Sequence, residues 1–212
     1  MWALVTDGTI QQIYQRPKSL VIGEVRYPSN MFTKYTDAEK AAIGIYPVVD
    51  TGTKGDDRFQ YTSQATYTFD SSNNRVTTSY TITDKALADA NAVDEDGNNI
   101  LDIDGNQVIN YGLKTQAKEK AKRTAHDLIK RFGWLVQRVT MDSSQTIPSA
   151  VITYCANIRT DCADIITAID NASDMTAFKA LYQDTYNSDG SVDVVARVNR
   201  WSDDYDIRQY IR

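Results

Sequence analysis

The chain has 212 residues, of which 42% are hydrophobic and 24% are charged, as is typical of one large or two small folded domains. Its net charge of −5 and pI near 4.9 argue against a general nucleic-acid-binding protein, because phosphate affinity comes from clustered Lys and Arg. No run approaches the roughly 20 apolar residues of a membrane helix, and no basic segment precedes an apolar core at the N-terminus, so neither a membrane span nor a secretory signal is predicted.

The order of the periodic patterns predicts an α+β fold. Residues 1–50 are predicted to form a small N-terminal β module with a short capped helix. Residues 51–112 are predicted to form a β-rich region of hairpins, and residues 113–212 a helical region with an antiparallel helical hairpin and a C-terminal arm.

In the first region, the Asp-Gly dipeptide that starts at Asp7 lies between two apolar runs and predicts a hairpin. The segment SLVIGEVRYP predicts one further strand that ends at Pro28. Thr36 and Glu39 fit a capping box, in which the hydroxyl and the carboxylate each satisfy a free backbone N–H. A helix of two turns should therefore begin here and stop at Gly44, and IYPVV should follow as a strand.

In the second region, RFQYTSQATYTFD and NRVTTSYTITD alternate aromatic or β-branched residues with small polar ones, and SSNN joins them. This pattern predicts a long hairpin, suited to pairing with further strands or with another chain. One face is expected to combine the odd-numbered residues of both strands: Tyr61, Ser63, Ala65, Tyr67 and Phe69 with Arg75, Thr77, Ser79 and Thr81.

The stretch DEDGNNILDIDGNQ, from Asp94, crowds four aspartates and two glycines into fourteen residues. An EF-hand calcium loop is excluded, because positions 6 and 12 counted from Asp94 are Asn99 and Gly105 instead of Gly and Glu. DEDGNNIL and DIDGNQVI repeat with a period of eight, which predicts two tight turns in which Gly97 and Gly105 have positive φ. A weak cation site between Asp94 and Asp104 is the alternative.

The third region carries two long helical patterns. The first has one narrow apolar stripe and ends where Gly133 and Trp134 break it; the stripe is Ala117, Ala121, Ala125, Leu128 and Phe132. The second begins near Pro148 and should bury Val151, Tyr154, Cys155, Ile158, Cys162, Ile165 and Ile169. About fifteen residues join them, so an antiparallel pair is predicted. A third helix should start at Ser173, and the tail from Val192 is either a closing strand or an arm that reaches a neighbouring subunit.

No catalytic, cofactor-binding or metal-binding residue is predicted. His126, the only histidine, lies beside Asp127 on the polar side of a lysine-rich helix and is interpreted as a surface residue. Cys155 and Cys162 are seven residues apart on one helix, a rise of roughly 10 Å, which exceeds the Cα separation of about 7 Å that a disulfide spans. Both are therefore interpreted as reduced, packed thiols. The side chains of the adjacent Asp203 and Asp204 point in different directions on any regular element, so they are not interpreted as a catalytic carboxylate pair.

The first long helix also has a basic face. Seven cations stand against Glu119 and Asp127: Lys114, Lys118, Lys120, Lys122, Arg123, Lys130 and Arg131. Aromatic residues are scarce among them and the chain is acidic overall. The face is therefore interpreted as solvated or as a docking face for an acidic partner, in preference to a nucleic-acid surface.

Two blocks resemble tailed-bacteriophage tail proteins. Residues 18–49, KSLVIGEVRYPSNMFTKYTDAEKAAIGIYPVV, look like an N-terminal module of those proteins, in which an extended YP segment precedes a short capped helix. AKRTAHDLIKRFGWLVQR and IPSAVITYCANIRTDC are similar to the helical part of tail-fibre-assembly-like proteins. Gly133 replaces the acidic residue that this pattern has before Trp134, and Cys155 replaces the arginine after Tyr154. The resemblance implies no catalytic residues.

The resemblance implies a structural or adaptor protein of the virion tail, associated with the fibre or baseplate and made in the host cytoplasm. Its partners would be fibre, baseplate or tail-tube subunits, and it would be a homo-oligomer or present in several copies per tail. Residues 59–83 and the C-terminal arm would pair with neighbours. The alternatives are a transient tail-fibre assembly chaperone, which the helical hairpin favours, and a wall- or polysaccharide-degrading tail enzyme.

Overall fold

A computed structural model describes residues 1–211, for Tyr205 the backbone only. The chain forms two compact units, one spanning Met1–Asp84 and one beginning at Lys85. The predicted α+β fold is confirmed, with strands at the N-terminus, hairpins in the middle and helices towards the C-terminus.

The first unit is built on a five-stranded sheet with the strand order β2-β1-β5-β8-β7, in which only the β5–β8 pair is parallel. The β3–β4 hairpin and the β6–β9 pair lie outside this sheet, and β6–β9 continues the β7–β8 hairpin on the side away from its turn. The strands are β1 Trp2–Thr6, β2 Thr9–Tyr14, β3 Leu20–Ile22, β4 Val25–Tyr27, β5 Ile45–Val49, β6 Gln60–Thr62, β7 Thr66–Asp70, β8 Arg75–Ser79 and β9 Ile82–Asp84. The helices are α1 Met31–Lys34 and α2 Asp37–Ala42.

Both faces of this sheet are covered by apolar side chains, because successive residues of a strand point to opposite faces. On one face, Ile45 packs with Met31 and Phe32 of α1 and with the β3–β4 hairpin. On the other face, Ala3 and Val76 pack with side chains of the two outer strands, which are Ile10, Ile13, Tyr67 and Phe69. The sheet therefore has two small cores instead of one.

Local sequence signals fix the turns of the first unit. Asp7 has φ 51° and is followed by glycine in the β1–β2 hairpin, as predicted. The predicted capping box of α2 is present: the Thr36 N–H donates to Glu39 Oε2 at 2.7 Å and the Glu39 N–H to Thr36 Oγ1 at 3.3 Å. Gly44 ends the helix with φ 80°, and a Cβ there would lie 2.6 Å from the carbonyl oxygen of Val5.

Two strand predictions are wrong in detail. SLVIGEVRYP forms two short strands, β3 and β4, because Gly23 adopts φ 59° and reverses the chain. In the β7–β8 part of the long hairpin, Phe69 pairs with Val76 and Tyr67 with Thr78, so odd-numbered residues face even-numbered ones. The reason is the connection of four residues, which places Asp70 opposite Arg75. In the β6–β9 part Tyr61 pairs with Thr83, so the predicted parity holds there.

The second unit is mainly helical. Its helices are α3 Leu113–Lys130, α4 Gly133–Met141, α5 Ser149–Asn171 and α6 Met175–Ala180, followed by 3₁₀ turns at Arg197–Asn199 and Tyr205–Tyr210. Its strands form two short hairpins, β10 Ala90–Asn91 with β11 Ile109–Asn110, and β12 Thr185–Tyr186 with β13 Val192–Val194.

The helical pair α3–α5 is antiparallel, as predicted. The start of α3 meets the end of α5, where Lys118 pairs with Asp170 at 2.9 Å, and Phe132 packs edge-on against Tyr154 at the other end, with ring centroids 5.7 Å apart. The alanine stripe of α3 is buried, and so are the predicted core residues of α5 except Cys155, which is half-buried. Small residues on one helix thus allow close approach of the large ones on the other.

The predicted break after α3 is short, because α4 begins at Gly133 itself. The third helix starts two residues later than Ser173, with Asp174 as its cap. The tail is neither an extended arm nor a strand along most of its length: Ile207 is buried, and Ser202 donates to Asp161 of α5. The last residue of the predicted arm, Arg212, lies outside the described residues.

Candidate functional site

Residues 90–110, near the start of the second unit, form a three-armed arrangement that is called the star below. At its centre three backbone groups bind one another in a closed cycle. The Ala92 N–H donates to the carbonyl of Val108 at 2.8 Å, the Val108 N–H to that of Ile100 at 2.9 Å, and the Ile100 N–H to that of Ala92 at 2.9 Å. These residues are eight apart, so the period seen in the sequence produces an approximate threefold arrangement of the backbone.

The side chain of Gln107 covers the centre of the star. Its Nε2 lies 3.0, 3.2 and 2.8 Å from the carbonyl oxygens of Ala92, Ile100 and Val108, so one amide group is shared by all three. Its Oε1 is buried and has no hydrogen-bond partner among the described residues. The sequence analysis missed this residue, although it occupies the position that Asn99 holds one repeat earlier.

Two of the arms are the predicted Asp-Gly-Asn turns. In the first, Asp94 Oδ1 accepts the N–H groups of Asp96 at 3.0 Å and Asn98 at 2.8 Å. In the second, Asp102 Oδ1 accepts the N–H groups two and four residues on, at 2.9 and 2.8 Å. The pKa of each carboxyl is held below its ordinary value, chiefly by the backbone N–H four residues on. The glycines of both turns have the predicted positive φ.

The turn geometry bears on the alternative of a cation site, because Asp94 and Asp102 already use carboxylate oxygens as acceptors from turn N–H groups. Among the described residues, no group of three or more His, Cys, Asp or Glu is arranged to hold a metal ion. The acidic cluster is thus explained by backbone satisfaction within each arm.

The third arm joins the star to α3. It is the β10–β11 pair, and Asp89 beside it accepts the N–H of Gly112 at 2.7 Å and the hydroxyl of Thr115 at 3.0 Å. A Cβ on Gly112 would lie 2.4 Å from the carbonyl carbon of Ala88, so this position requires glycine. Asp89 satisfies backbone and side-chain donors at the start of α3, and the star is therefore fixed to a rigid helix.

The star exposes apolar side chains instead of burying them. Val93, Ile100, Leu101 and Ile103 all face solvent, and Ile103 is fully exposed. Ala92 alone among the apolar residues 92–103 is buried. Hydrogen bonds therefore hold this backbone in place, and the apolar groups are left available for contacts with another molecule.

The basic face of α3 is partly neutralised. Three of its seven cations form ion pairs within the second unit: Lys118 with Asp170, Lys122 with Glu119, and Arg131 with Asp204. Lys114 donates to the backbone carbonyl of Asp170, which leaves its charge in place. Lys120 and Arg123 line an open concavity of about 840 Å³ together with Tyr111. A docking role for this face remains a prediction.

The histidine, the two cysteines and Asp204 have structural or surface positions. His126 is exposed on α3. Cys155 and Cys162 are free thiols, and burial raises the pKa of each. Asp204 binds Arg131 and Arg208; the ion pair with Arg131 fastens the tail to the helices, and the one with Arg208 lies within the tail. The structure thus does not bring these side chains together into one site.

Comparisons of the chain with protein families, with curated proteins and with solved structures found no match. Within the described part of the chain, no helix combines the length and apolar character needed to cross a membrane. The star, with its exposed apolar side chains, is the candidate site.

Proposed function

We propose that this protein is a non-enzymatic structural or adaptor component of a bacteriophage tail, associated with the fibre or baseplate, that acts by binding neighbouring virion proteins. One observation carries the proposal: the star presents Val93, Leu101 and Ile103 to solvent on a backbone closed by its own hydrogen bonds. Three exposed aliphatic side chains within one short, ordered segment favour a role in protein–protein contacts.

The rigidity of the star favours binding. Ordering flexible loops is a large part of the free energy lost on association, and a preorganised backbone avoids that loss. The cycle of Ala92, Ile100 and Val108 and the amide of Gln107 fix the bases of the arms before any partner arrives. Complete burial of the fully exposed Ile103 side chain would then contribute about 1.5–3 kcal/mol to association, and burial of the half-exposed Val93 and Leu101 proportionally less.

The placement in a phage tail derives from the resemblance of residues 18–49 and of the two helical blocks to tail proteins. On this proposal the protein resides in the virion, in several copies per tail. The star takes the place of the predicted arm as a pairing surface, because the tail lies on α5 through Ser202 and Ile207. Pairing through residues 59–83 remains part of the proposal. The antiparallel helical pair favours a second candidate, a transient tail-fibre assembly chaperone.

The test is mass spectrometry of purified, nuclease-treated particles of the phage that encodes the chain. We expect stoichiometric peptides of this protein in the particles and no clearing on zymograms of host wall or capsule. Absence from particles, together with presence in the infected-cell lysate, would contradict the structural role. A rise in the yield of soluble fibre on co-expression would then establish the chaperone.

A variant pair ties the result to the star. The double substitution Leu101→Ser and Ile103→Ser is expected to leave the far-UV circular dichroism unchanged, because both side chains are exposed, and to lower the copy number in particles. Val192→Ser is the matched control, since Val192 is a similarly exposed aliphatic residue of the same unit outside the star. An equal copy number for both variants would remove the star from the interface.

A further inference from the structure

The second unit has an apolar groove of about 300 Å³ where the end of α3, the helix α4 and the start of α5 meet. The buried side chains of Phe132 and Val151 form its floor. Val136 of α4 and Ile152 of α5 form its walls, and they are 56% and 57% exposed. The half-buried thiol of Cys155 also lines it. The groove can hold an aliphatic side chain with its flanking peptide.

The rim of this groove is basic. Lys130 and Arg159 line it, and no acidic side chain does. Within the described part of the chain, neither cation belongs to an ion pair; the Arg159 Nη1 donates only to the carbonyl of Cys155, at 3.4 Å. An apolar floor between two available cations selects an aliphatic group that is flanked by carboxylates.

The same unit displays a group of that chemistry. Ile103 stands at the tip of the second arm of the star, its side chain fully exposed, between Asp102 and Asp104. The Asp102 carboxylate is fixed by two backbone N–H groups, so one of the flanking charges has a defined position. The other arm carries Glu95 at the matching position and offers no aliphatic group there.

We propose that the groove binds the Ile103 tip of a second copy of this chain, so that copies join head to tail. Ile103 would fill the apolar floor and the Asp104 carboxylate would lie against Lys130 or Arg159. The Asp102 carboxylate, whose oxygens already accept hydrogen bonds within its own turn, would add its negative charge to the tip. The inference rests on the proposed binding role of the star and adds the identity of its partner. Because tip and groove are different surfaces, the contact is heterologous and generates rings or filaments.

A second copy is the occupant that the chain itself supplies. The two surfaces match in apolar character and are opposite in charge, and each copy carries one of each. A single copy leaves both open, since its own Ile103 is fully exposed and does not line the groove. The Ile103 tip of one copy can therefore bind the groove of another copy, whereas the tip and groove of a single copy do not meet.

Cysteine cross-linking tests this contact, because Cys155 already lies in the groove. A tip variant carries Ile103→Cys, Cys155→Ser and Cys162→Ser. A groove variant carries only Cys162→Ser and a tag of different length. Mixing the two under mild oxidation can give a tip-to-groove disulfide only between copies. The reaction is run at alkaline pH, since burial raises the pKa of the Cys155 thiol and the thiolate is the reactive form.

We expect a mixed disulfide of tip and groove variants on non-reducing gels, joined through Cys155 in the peptide map. The matched control places the cysteine at Glu95 instead of Ile103, in the equivalent turn. It should cross-link at least about tenfold less, because the proposed contact holds position 103, and not position 95, beside Cys155 at a high effective concentration. No mixed disulfide, or an equal yield from the Glu95→Cys tip, would overturn the proposal.

Sedimentation of the full chain gives the non-covalent counterpart. Wild type should self-associate with rising concentration, and Ile103→Lys should weaken that association by at least about tenfold, because a lysine meets Lys130 and Arg159. A chain that stays monomeric, or an Ile103→Lys variant that associates like wild type, would overturn the head-to-tail contact. Presence of the protein in virions is measured separately, so failure here leaves the proposed tail function standing with a different partner.

Discussion

The star and the helical pair follow one another in the sequence but are held together by different forces. In the helical pair, Ile158, Ile165 and Ile169 are completely buried against the alanine stripe of α3. In the star, most apolar side chains are exposed, and backbone hydrogen bonds with the amide of Gln107 define the structure. The helical pair is thus stabilised by burial of apolar side chains, and the star by hydrogen bonds between its polar groups.

The two kinds of stabilisation differ in which side chains they leave free to bind a partner. Burial is non-directional and tolerates gradual repacking, whereas a hydrogen-bond cycle depends on the position of each group. A segment that does not need its apolar residues for its own stability can present them to a partner. The helical pair is thus the support, and the star is the surface that it carries.

The largest expected effect is in the helical pair. Ile165→Ala should lower the free energy of unfolding by about 2–5 kcal/mol, because it leaves a cavity beside α3. Chemical denaturation followed by far-UV circular dichroism measures this. The matched control is Ile152→Ala on the exposed side of α5, which should change stability by less than about 0.5 kcal/mol. Equal effects at both positions would contradict the assignment of the buried face.

The next effect is at the centre of the star. Gln107→Met keeps a side chain of similar length but removes the amide, and should destabilise the star locally by about 1–3 kcal/mol. Hydrogen exchange should lose protection at the amides of Ala92, Ile100 and Val108, with the helical pair unchanged. Asn99→Met, one repeat earlier and exposed, is the control. Unchanged exchange in the Gln107 variant would show that the backbone cycle suffices.

A smaller effect distinguishes two glycines that have equal room. A Cβ would meet nothing within 4 Å at Gly105 or at Gly133, so only the backbone conformation differs. Gly105 has φ 82°, and Gly105→Ala should cost about 1 kcal/mol. Gly133 begins α4, and Gly133→Ala should stabilise by about 0.4–1 kcal/mol. Thermal unfolding of both variants checks the opposite signs; a shared sign would refute the argument.

The smallest effect is the pH dependence of the arms. The pKa of Asp94 and of Asp102 is lowered in the folded chain, so each carboxylate stabilises its turn above the unfolded pKa of about 3.9. That contribution is lost as the pH falls from there through the folded pKa. Over this pH range, hydrogen exchange at the turn amides should therefore become faster relative to the intrinsic exchange rate at the same pH. Asp102→Asn should remove this pH response in the second arm alone, with the first arm as internal control.

Sequence patterns predicted the features that depend on neighbouring residues, namely helix caps, turns and the buried face of a helix. The capping box of Thr36 and Glu39, the positive φ of Gly97 and Gly105, and the buried stripe of α5 each depend on residues within a few positions. These signals sufficed for the α+β class and for the antiparallel helical pair. The predicted division into three regions follows local composition and remains a prediction.

The centre of the star could not be predicted in the same way. The period of eight predicted two turns. The cycle, however, is closed by a hydrogen bond between Ala92 and Val108, which are sixteen residues apart, and no local sequence preference encodes that pairing. Gln107 binds the carbonyls of all three residues in the cycle, although its own sequence neighbourhood is that of an ordinary polar turn. The tail was ambiguous for the same reason, since its position depends on Asp161 and Trp134, far away in sequence.

The closed cycle also makes residues 90–110 a natural display scaffold. The tips at Gly97 and Gly105 have open space around them, while the hydrogen bonds that define the centre lie at the bases of the arms. An arm can therefore be lengthened at its tip without altering the cycle. A foreign epitope grafted at Gly97 would project from a fixed base, anchored to α3 through Asp89, and would leave the Ile103 arm untouched.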